Sequence, residues 1–159
     1  MSRLSKADYY LNIALDVANR STCLKKHYGA VVVNNDEIIS TGFNGPPRGE
    51  PHCTVCTKIS NAKNESSYCS CGAVHAEMNA LLSAARRDMI GATLYLAGYY
   101  ADYEDRTDAE ISIKELPEKF DAEPCEICLR LIKNSGIKEV INRTGVIYRR
   151  GNNNILERC

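Results

Sequence analysis

The chain has 159 residues, of which 44% are hydrophobic and 25% are charged, as is typical of a globular domain. Its 20 basic and 20 acidic residues cancel, which argues against a duplex-binding protein, because such proteins usually carry a basic excess. No apolar run approaches the ~20 residues needed to cross a bilayer. We expect no signal peptide, because Met1–Ala7 contains no apolar run of the kind such a peptide needs. We therefore expect one cytoplasmic domain, residues 1–159, that does not bind a membrane.

The first half of the sequence predicts a helix, a hairpin and an irregular segment. Ser5 and Asp8 resemble a capping box, which predicts that a helix begins there. Ala30–Val33 and Ile38–Thr41 are short apolar runs around a polar turn, a pattern typical of a hairpin. Glu50–Gly72 is polar and rich in cysteine, and it has no helical or strand period.

The second half predicts two more helices and three strands. One helix is expected over His75–Arg87, with four apolar residues at core spacing: Met78, Leu81, Leu82 and Ala85. The other is expected over Pro124–Ser135, with proline in its first turn and Gly136 at its C-terminal cap. The predicted strands are Thr93–Ala97, Val140–Asn142 and Val146–Tyr148. Strands that alternate with helices indicate a layered α/β domain.

An acidic stretch separates the strand at 93–97 from the last helix. Residues 98–123 hold nine acidic and three basic side chains, a net charge of −6, which leaves +6 on the remainder. A modestly basic body suits a small anion such as a nucleotide phosphate. Arg48, in the Gly/Pro loop after the hairpin, is a candidate phosphate ligand.

Two short motifs place metal-binding side chains at the starts of predicted helices. His75 opens one motif, and Cys125 and Cys128 form a Cys-x-x-Cys pair 50 positions later. Cysteines three apart lie on one helical face, and the positive end of the helix dipole favours thiolates there. These three ligands leave the fourth tetrahedral position of zinc open to water, which distinguishes a catalytic site from a closed structural one.

Glu77 lies two residues after the histidine and is the candidate proton carrier. A carboxylate beside the metal can take a proton from the attacking water and deliver it to a leaving nitrogen. His-x-Glu followed by Pro-Cys-x-x-Cys is the signature of zinc-dependent base deaminases. The competing interpretation is a non-catalytic zinc module, which has no use for an unliganded carboxylate.

The sequence resembles the deoxycytidylate (dCMP) deaminase family of the cytidine deaminase-like superfamily. The resemblance runs from about Ser5 to Val140 and is broken by an insertion at 98–123. It depends on five segments: Arg20–Cys23, Gly29–Val32, Thr41–Gly45, His75–Ala80 and Pro124–Cys128. It implies a three-layer α/β/α domain with a central mixed sheet of about five strands.

The resemblance also implies the reaction, which is hydrolytic deamination of dCMP to dUMP with release of ammonia. By that resemblance Asn44 holds the sugar 3′-hydroxyl, and Ala76 presents its backbone amide to the pyrimidine carbonyl. Family members are commonly homo-hexamers, activated by dCTP and inhibited by dTTP. The alternatives are a deaminase of another amino-pyrimidine, of a nucleoside or of tRNA adenosine.

Five further cysteines indicate a second, structural zinc. Eight cysteines without a secretory signal favour metal ligands over disulfides. A closed zinc site takes four thiolates, and the resemblance favours Cys23, Cys53, Cys56 and Cys71, with Cys69 as the alternate to Cys23. The expected cofactors are therefore one catalytic and one structural zinc ion.

Overall fold

The computed structural model describes residues 2–60, 71–101 and 118–159, so Cys69 and most of the acidic insertion lie outside the described residues. The helices are α1 (Lys6–Ala18), α2 (Thr57–Ser60), α3 (Ala76–Leu82), α4 (Arg86–Met89) and α5 (Glu126–Ser135). The strands are β1 (Lys26–Asn34), β2 (Glu37–Phe43), β3 (Thr93–Tyr100), β4 (Glu139–Asn142), β5 (Gly145–Arg150) and β6 (Leu156–Arg158). Within these ranges, no helix is both long enough and apolar enough to span a membrane.

Helix α1 begins as its capping residues predict. Ser5 is the N-cap, and its Oγ accepts a hydrogen bond of 3.0 Å from the backbone N–H of Asp8. The same hydroxyl donates to the Asp8 carboxylate at 2.7 Å. Two polar groups at the helix start are thereby satisfied within one turn.

The β1–β2 hairpin is also confirmed, and it turns at two residues with positive φ. Asn35 has φ of 50° and Asp36 has φ of 64°. Asparagine and aspartate tolerate this region better than other non-glycine residues, and the resulting turn matches the right-handed twist of the strands.

Within the described residues, the sheet is mixed and has six strands in the order β2-β1-β3-β4-β5-β6. Of these six, only β3 and β4 pair in parallel, and the chain between them contains α5. The sheet exceeds the expected five strands because β6 adds an edge strand of three residues. A strand that short carries too little alternation to be recognised in the sequence.

Helices cover both faces of the sheet, which confirms the three-layer α/β/α arrangement. On one face, α1 packs with Tyr10, Leu11 and Ala14 against β1 and β3. On the other, α3 contributes Ala76 and Ala80 to a core that also includes α5. The sheet is therefore shielded from water on both sides at its centre.

Two glycines let the helices lie directly on the strands. A Cβ on Gly29 would lie 1.8 Å from the backbone oxygen of Ala14 in α1. A Cβ on Gly42 would lie 2.3 Å from both the Ala76 oxygen and the Ala80 nitrogen in α3. Gly42 thus fixes the height of α3, and of its N-terminus, above the sheet.

The helix predicted over His75–Arg87 is shorter than expected. Helix α3 ends at Leu82, and the Ser83 hydroxyl donates to the Asn79 carbonyl at 2.8 Å. Such a side-chain bond competes with continuation of the backbone helix. Leu82, expected in the core, is 80% exposed.

The acidic insertion begins inside a strand, because β3 continues three residues past its predicted end at Ala97. The returning chain pairs with this extension. Tyr100 N–H donates to the Glu118 carbonyl at 3.0 Å, and Phe120 N–H donates to the Gly98 carbonyl at 3.3 Å. The two ends of the insertion therefore form a short ribbon at the end of β3.

Candidate active site

Two helix N-termini meet beside the sheet and bring the two motifs together. His75 is the N-cap of α3 and Cys125 is the N-cap of α5. Helix α5 begins at Glu126, so Pro124 precedes the cap and does not occupy the first turn as predicted. Cys128 lies in that first turn, and its N–H donates to the Cys125 sulfur at 3.4 Å.

The three predicted metal ligands converge. Nδ1 of His75 lies 3.5 Å from Sγ of Cys125 and 3.4 Å from Sγ of Cys128, and all three atoms lie within 4.8 Å of one another. Tetrahedral zinc with bonds of about 2.3 Å to sulfur and about 2.05 Å to nitrogen requires an S···N separation of about 3.6 Å. The spacing of these side chains therefore fits a zinc ion, with one coordination position left over.

The surroundings of this group shift the pKa values of two of its members. Burial, followed by the charges of Glu77 and Cys125, raises the pKa of the Cys128 thiol well above its ordinary value. Burial, followed by the charge of Lys58, lowers the pKa of His75 and favours the neutral imidazole that binds metals. A divalent cation would offset the cost of holding thiolates in this buried place.

Glu77 lies beside the metal group and is only 3% exposed. Burial raises the pKa of Glu77 to about 7, against the opposing hydrogen bonds from its own backbone N–H and from the Cys128 side chain. A group with a pKa near the working pH both accepts and donates protons readily. Glu77 is therefore a candidate for proton transfer.

A cavity of about 240 Å³ opens on these side chains, and Asn44 and Ala76 line it with Glu77. The Asn44 amide is already anchored, since Nδ2 donates to the Lys26 carbonyl at 2.9 Å and Oδ1 accepts from Tyr28 N–H at 2.7 Å. Each amide atom retains one hydrogen-bonding position. Ala76 is the first residue of α3, where the backbone N–H has no intrahelical partner.

The cationic lining of the cavity differs from the sequence prediction. Arg48 is exposed and is not one of the described residues that line the cavity, whereas Lys25, Lys26 and Lys58 are. Lys26 begins β1, Lys25 precedes it and Lys58 lies in α2, and no sequence motif marked them. Arg48 stays a prediction, and these three lysines are further candidates for phosphate contacts.

One acidic residue at the cavity is neutralised by the last strand. Glu123 lines the cavity and accepts two hydrogen bonds of 2.8 Å from Arg158 in β6. These bonds lower the pKa of Glu123. The pairing offsets a negative charge at the cavity.

The cysteines predicted for a second zinc are only partly assembled. Cys23, Cys56 and Cys71 line the same cavity, while Cys53 is exposed. In the portion of the chain that the structure describes, they form no second group as close as that of His75, Cys125 and Cys128. Cys69 lies outside the described residues.

A three-layer α/β/α fold with a histidine, two cysteines and a buried glutamate at paired helix N-termini defines a zinc-dependent hydrolytic deaminase. The sequence profile described as "Cytidine and deoxycytidylate deaminase zinc-binding region" matches residues 4–144. The chain belongs to this family.

Individual relatives are similar over most of the chain. The deoxycytidylate deaminase of Mycobacterium phage D29 is 39% identical over an alignment 147 residues long, and this alignment covers 89% of this chain and 96% of the phage protein. The deoxycytidylate deaminase of Schizosaccharomyces pombe is 34% identical over 149 residues, and the match spans only 38% of that longer protein. The apo dCMP deaminase of cyanophage S-TIM5 shares the fold, with a TM-score of 0.58 at 23% identity over 89% of this chain and 85% of that one.

Proposed function

We propose that this protein is a dCMP deaminase, which hydrolyses dCMP to dUMP and ammonia in a single domain that carries an acidic insertion. One observation carries the proposal: Nδ1 of His75 and the sulfurs of Cys125 and Cys128 converge beside the buried carboxylate of Glu77. The relatives that cover most of the chain support this substrate, since the phage D29 protein is named a deoxycytidylate deaminase.

The side chains divide the chemistry between them. Zinc held by His75, Cys125 and Cys128 would supply an activated water as the nucleophile. Glu77 takes a proton from the attacking water and delivers it to the amino group, which leaves as ammonia. Asn44 orients the deoxyribose, and the Ala76 N–H binds the pyrimidine carbonyl.

The substrate is tested by ammonia release from a panel of amino-bases, nucleosides and nucleotides. We expect dCMP to be preferred over deoxycytidine, because three lysines line the cavity and can bind the phosphate. Loss of such charge-assisted contacts should weaken transition-state binding by about 2 kcal/mol or more, which lowers kcat/KM by a factor of about thirty or more. Equal efficiency on deoxycytidine would contradict the nucleotide assignment, and strong activity on free cytosine or tRNA adenosine would replace it.

We also propose a second, structural zinc, held by Cys23, Cys53, Cys56 and Cys71, with Cys69 as the alternate to Cys23. Cys23, Cys56 and Cys71 line the same cavity as Glu77, and this proximity supports their binding one metal ion. Four thiolates would complete a tetrahedral zinc and fix the polar segment before α3 without taking part in catalysis.

Metal analysis of the purified protein should therefore give about two zinc ions per chain, which is the sum of one catalytic and one structural site. Cys53→Ser should remove one of them and lower the melting temperature, because metal binding contributes directly to folding. Cys159→Ser, which changes another exposed thiol, is the matched control and should keep both. A content of one zinc that Cys53→Ser does not alter would exclude the second site.

A homo-oligomer regulated by dCTP and dTTP is proposed as well, on the basis of the family resemblance. Exposed apolar side chains on two adjacent helices support association: Leu82 of α3 is 80% exposed, and Ile127 and Leu131 of α5 are 37% and 43% exposed. Exposed apolar patches of this kind are common at subunit interfaces. A sedimentation experiment that shows a monomer with and without dCTP would contradict this proposal.

A further inference from the structure

Lys26, one of the cavity lysines, has its ammonium group held against two aromatic rings. Nζ lies 5.1 Å from the ring centre of Tyr100 and 4.8 Å from that of Phe120. A cation within about 6 Å of a ring centre is attracted by the negative face of the ring. Both rings belong to the ribbon formed by the ends of the insertion, so the insertion contacts the cavity wall.

Phe120 is itself locked in place. Its ring makes edge contacts with Tyr100 and Tyr28, at centroid distances of 5.1 Å and 4.9 Å. It also covers Gly98, where an added Cβ would lie 2.6 Å from Cζ of Phe120. The position of the Phe120 ring is therefore fixed by its neighbours, and residue 98 beneath it has room for glycine only.

The backbone of Lys26 is fixed from the other side by the proposed sugar ligand. Asn44 accepts from Tyr28 N–H and donates to the Lys26 carbonyl. Lys26, Tyr28 and Asn44 are among the residues that line the same cavity as Glu77. Among the described residues, Lys26 forms no ion pair with a carboxylate, so its charge remains available to a ligand.

We infer that Lys26 binds the phosphate of the nucleotide substrate, and that Phe120, with Tyr100, is the positioning residue that holds its ammonium at the cavity wall. This inference rests on the proposed function. The rings occupy one side of the ammonium, and its three N–H donors can still reach a phosphate on the open side. The insertion thereby contributes to substrate recognition through its anchored base.

The test is steady-state kinetics of the zinc-loaded enzyme on dCMP and deoxycytidine. Lys26→Gln should raise KM for dCMP by about tenfold or more, with kcat changed less than twofold, as for loss of a charge-assisted hydrogen bond. Phe120→Leu, which keeps an apolar side chain but removes the ring, should raise KM by about threefold to tenfold. Neither change should alter kcat/KM for deoxycytidine, and Lys26→Arg should retain most of the dCMP efficiency.

A double variant shows whether the ring acts through the lysine. Phe120→Leu should have no further effect on KM for dCMP when Lys26→Gln is already present. Lys119→Gln removes the same charge from the neighbouring residue of the ribbon, which does not line this cavity, and should match wild type.

Several outcomes would overturn the inference. An unchanged KM in Lys26→Gln would remove the phosphate role, and equal losses on both substrates in Phe120→Leu would reduce the ring to a structural role. If Phe120→Leu does not fold, Lys26→Gln and Lys26→Arg decide alone. Failure of the proposed function appears separately, as a wild-type enzyme that does not prefer dCMP.

Discussion

Glu77→Gln is expected to lower kcat for dCMP by about a thousandfold or more while the protein keeps its zinc and its fold. The amide has almost the same shape as the carboxylate, so packing around this buried position is preserved. It cannot take a proton from water and pass it to the leaving amino group, which is the step assigned to Glu77. Since a buried carboxylate is costly to hold, the variant should melt at the wild-type temperature or above it.

The measurement combines turnover with zinc content and thermal melting. Glu126→Gln is the matched control, because Glu126 is an exposed carboxylate directly after the proposed ligand Cys125. That variant should keep wild-type turnover. A Glu77→Gln enzyme with more than a tenth of wild-type turnover would exclude Glu77 as the proton carrier, and loss of zinc would indicate a ligand role instead.

Gly42→Ala should cause a large loss of stability. The new methyl group would lie 2.3 Å from two backbone atoms of α3, which cannot move aside as a flexible side chain could. Helix α3 must then rise from the sheet and carry His75 with it. We expect a loss of about 3 kcal/mol or more in the free energy of unfolding, at the upper end for overpacking.

Gly29→Ala provides the comparison, because it introduces an equally severe clash with α1 on the opposite face. Both variants should be destabilised in urea. Only Gly42→Ala should also weaken zinc binding in the molecules that remain folded, as measured by competition with a chelator. Wild-type stability of Gly42→Ala would show that α3 is free to shift, and equal zinc affinities would show that its height does not control the site.

The chemistry of the site was predictable from the sequence to a greater degree than its surroundings. His75, Glu77, Cys125 and Cys128 are chemically distinctive residues at fixed spacing, and the structure brings the three ligands together beside Glu77. By contrast, Leu82 fits a helical core pattern but is exposed. Periodicity shows which residues share a helix face, but it does not show whether another element covers that face.

The substrate-facing cations were less predictable for a different reason. Arg48 stays a prediction, whereas Lys25 and Lys26 line the cavity because the start of β1 lies next to the ends of the insertion. Such contacts join residues far apart in the chain, and no local pattern encodes them. Strand β6, whose Arg158 neutralises Glu123, was missed because three residues are too few to show a period.

The pairing of β3 with residues 118–120 has a consequence for how this chain accommodates extra length. Ligands of the proposed catalytic zinc lie on both sides of the insertion, so additional residues there would ordinarily enlarge the loop that metal binding must close. Backbone hydrogen bonds of Tyr100 and Phe120 already hold the two ends of the insertion together. The entropy lost in closing a longer loop therefore lowers the stability of the ribbon and does not weaken metal binding. Each doubling of the intervening length adds only about 0.6 kcal/mol. Changes of sequence or length between residues 101 and 118 should therefore leave the distance from His75 to Cys125 unchanged. Such changes should have little effect on metal affinity.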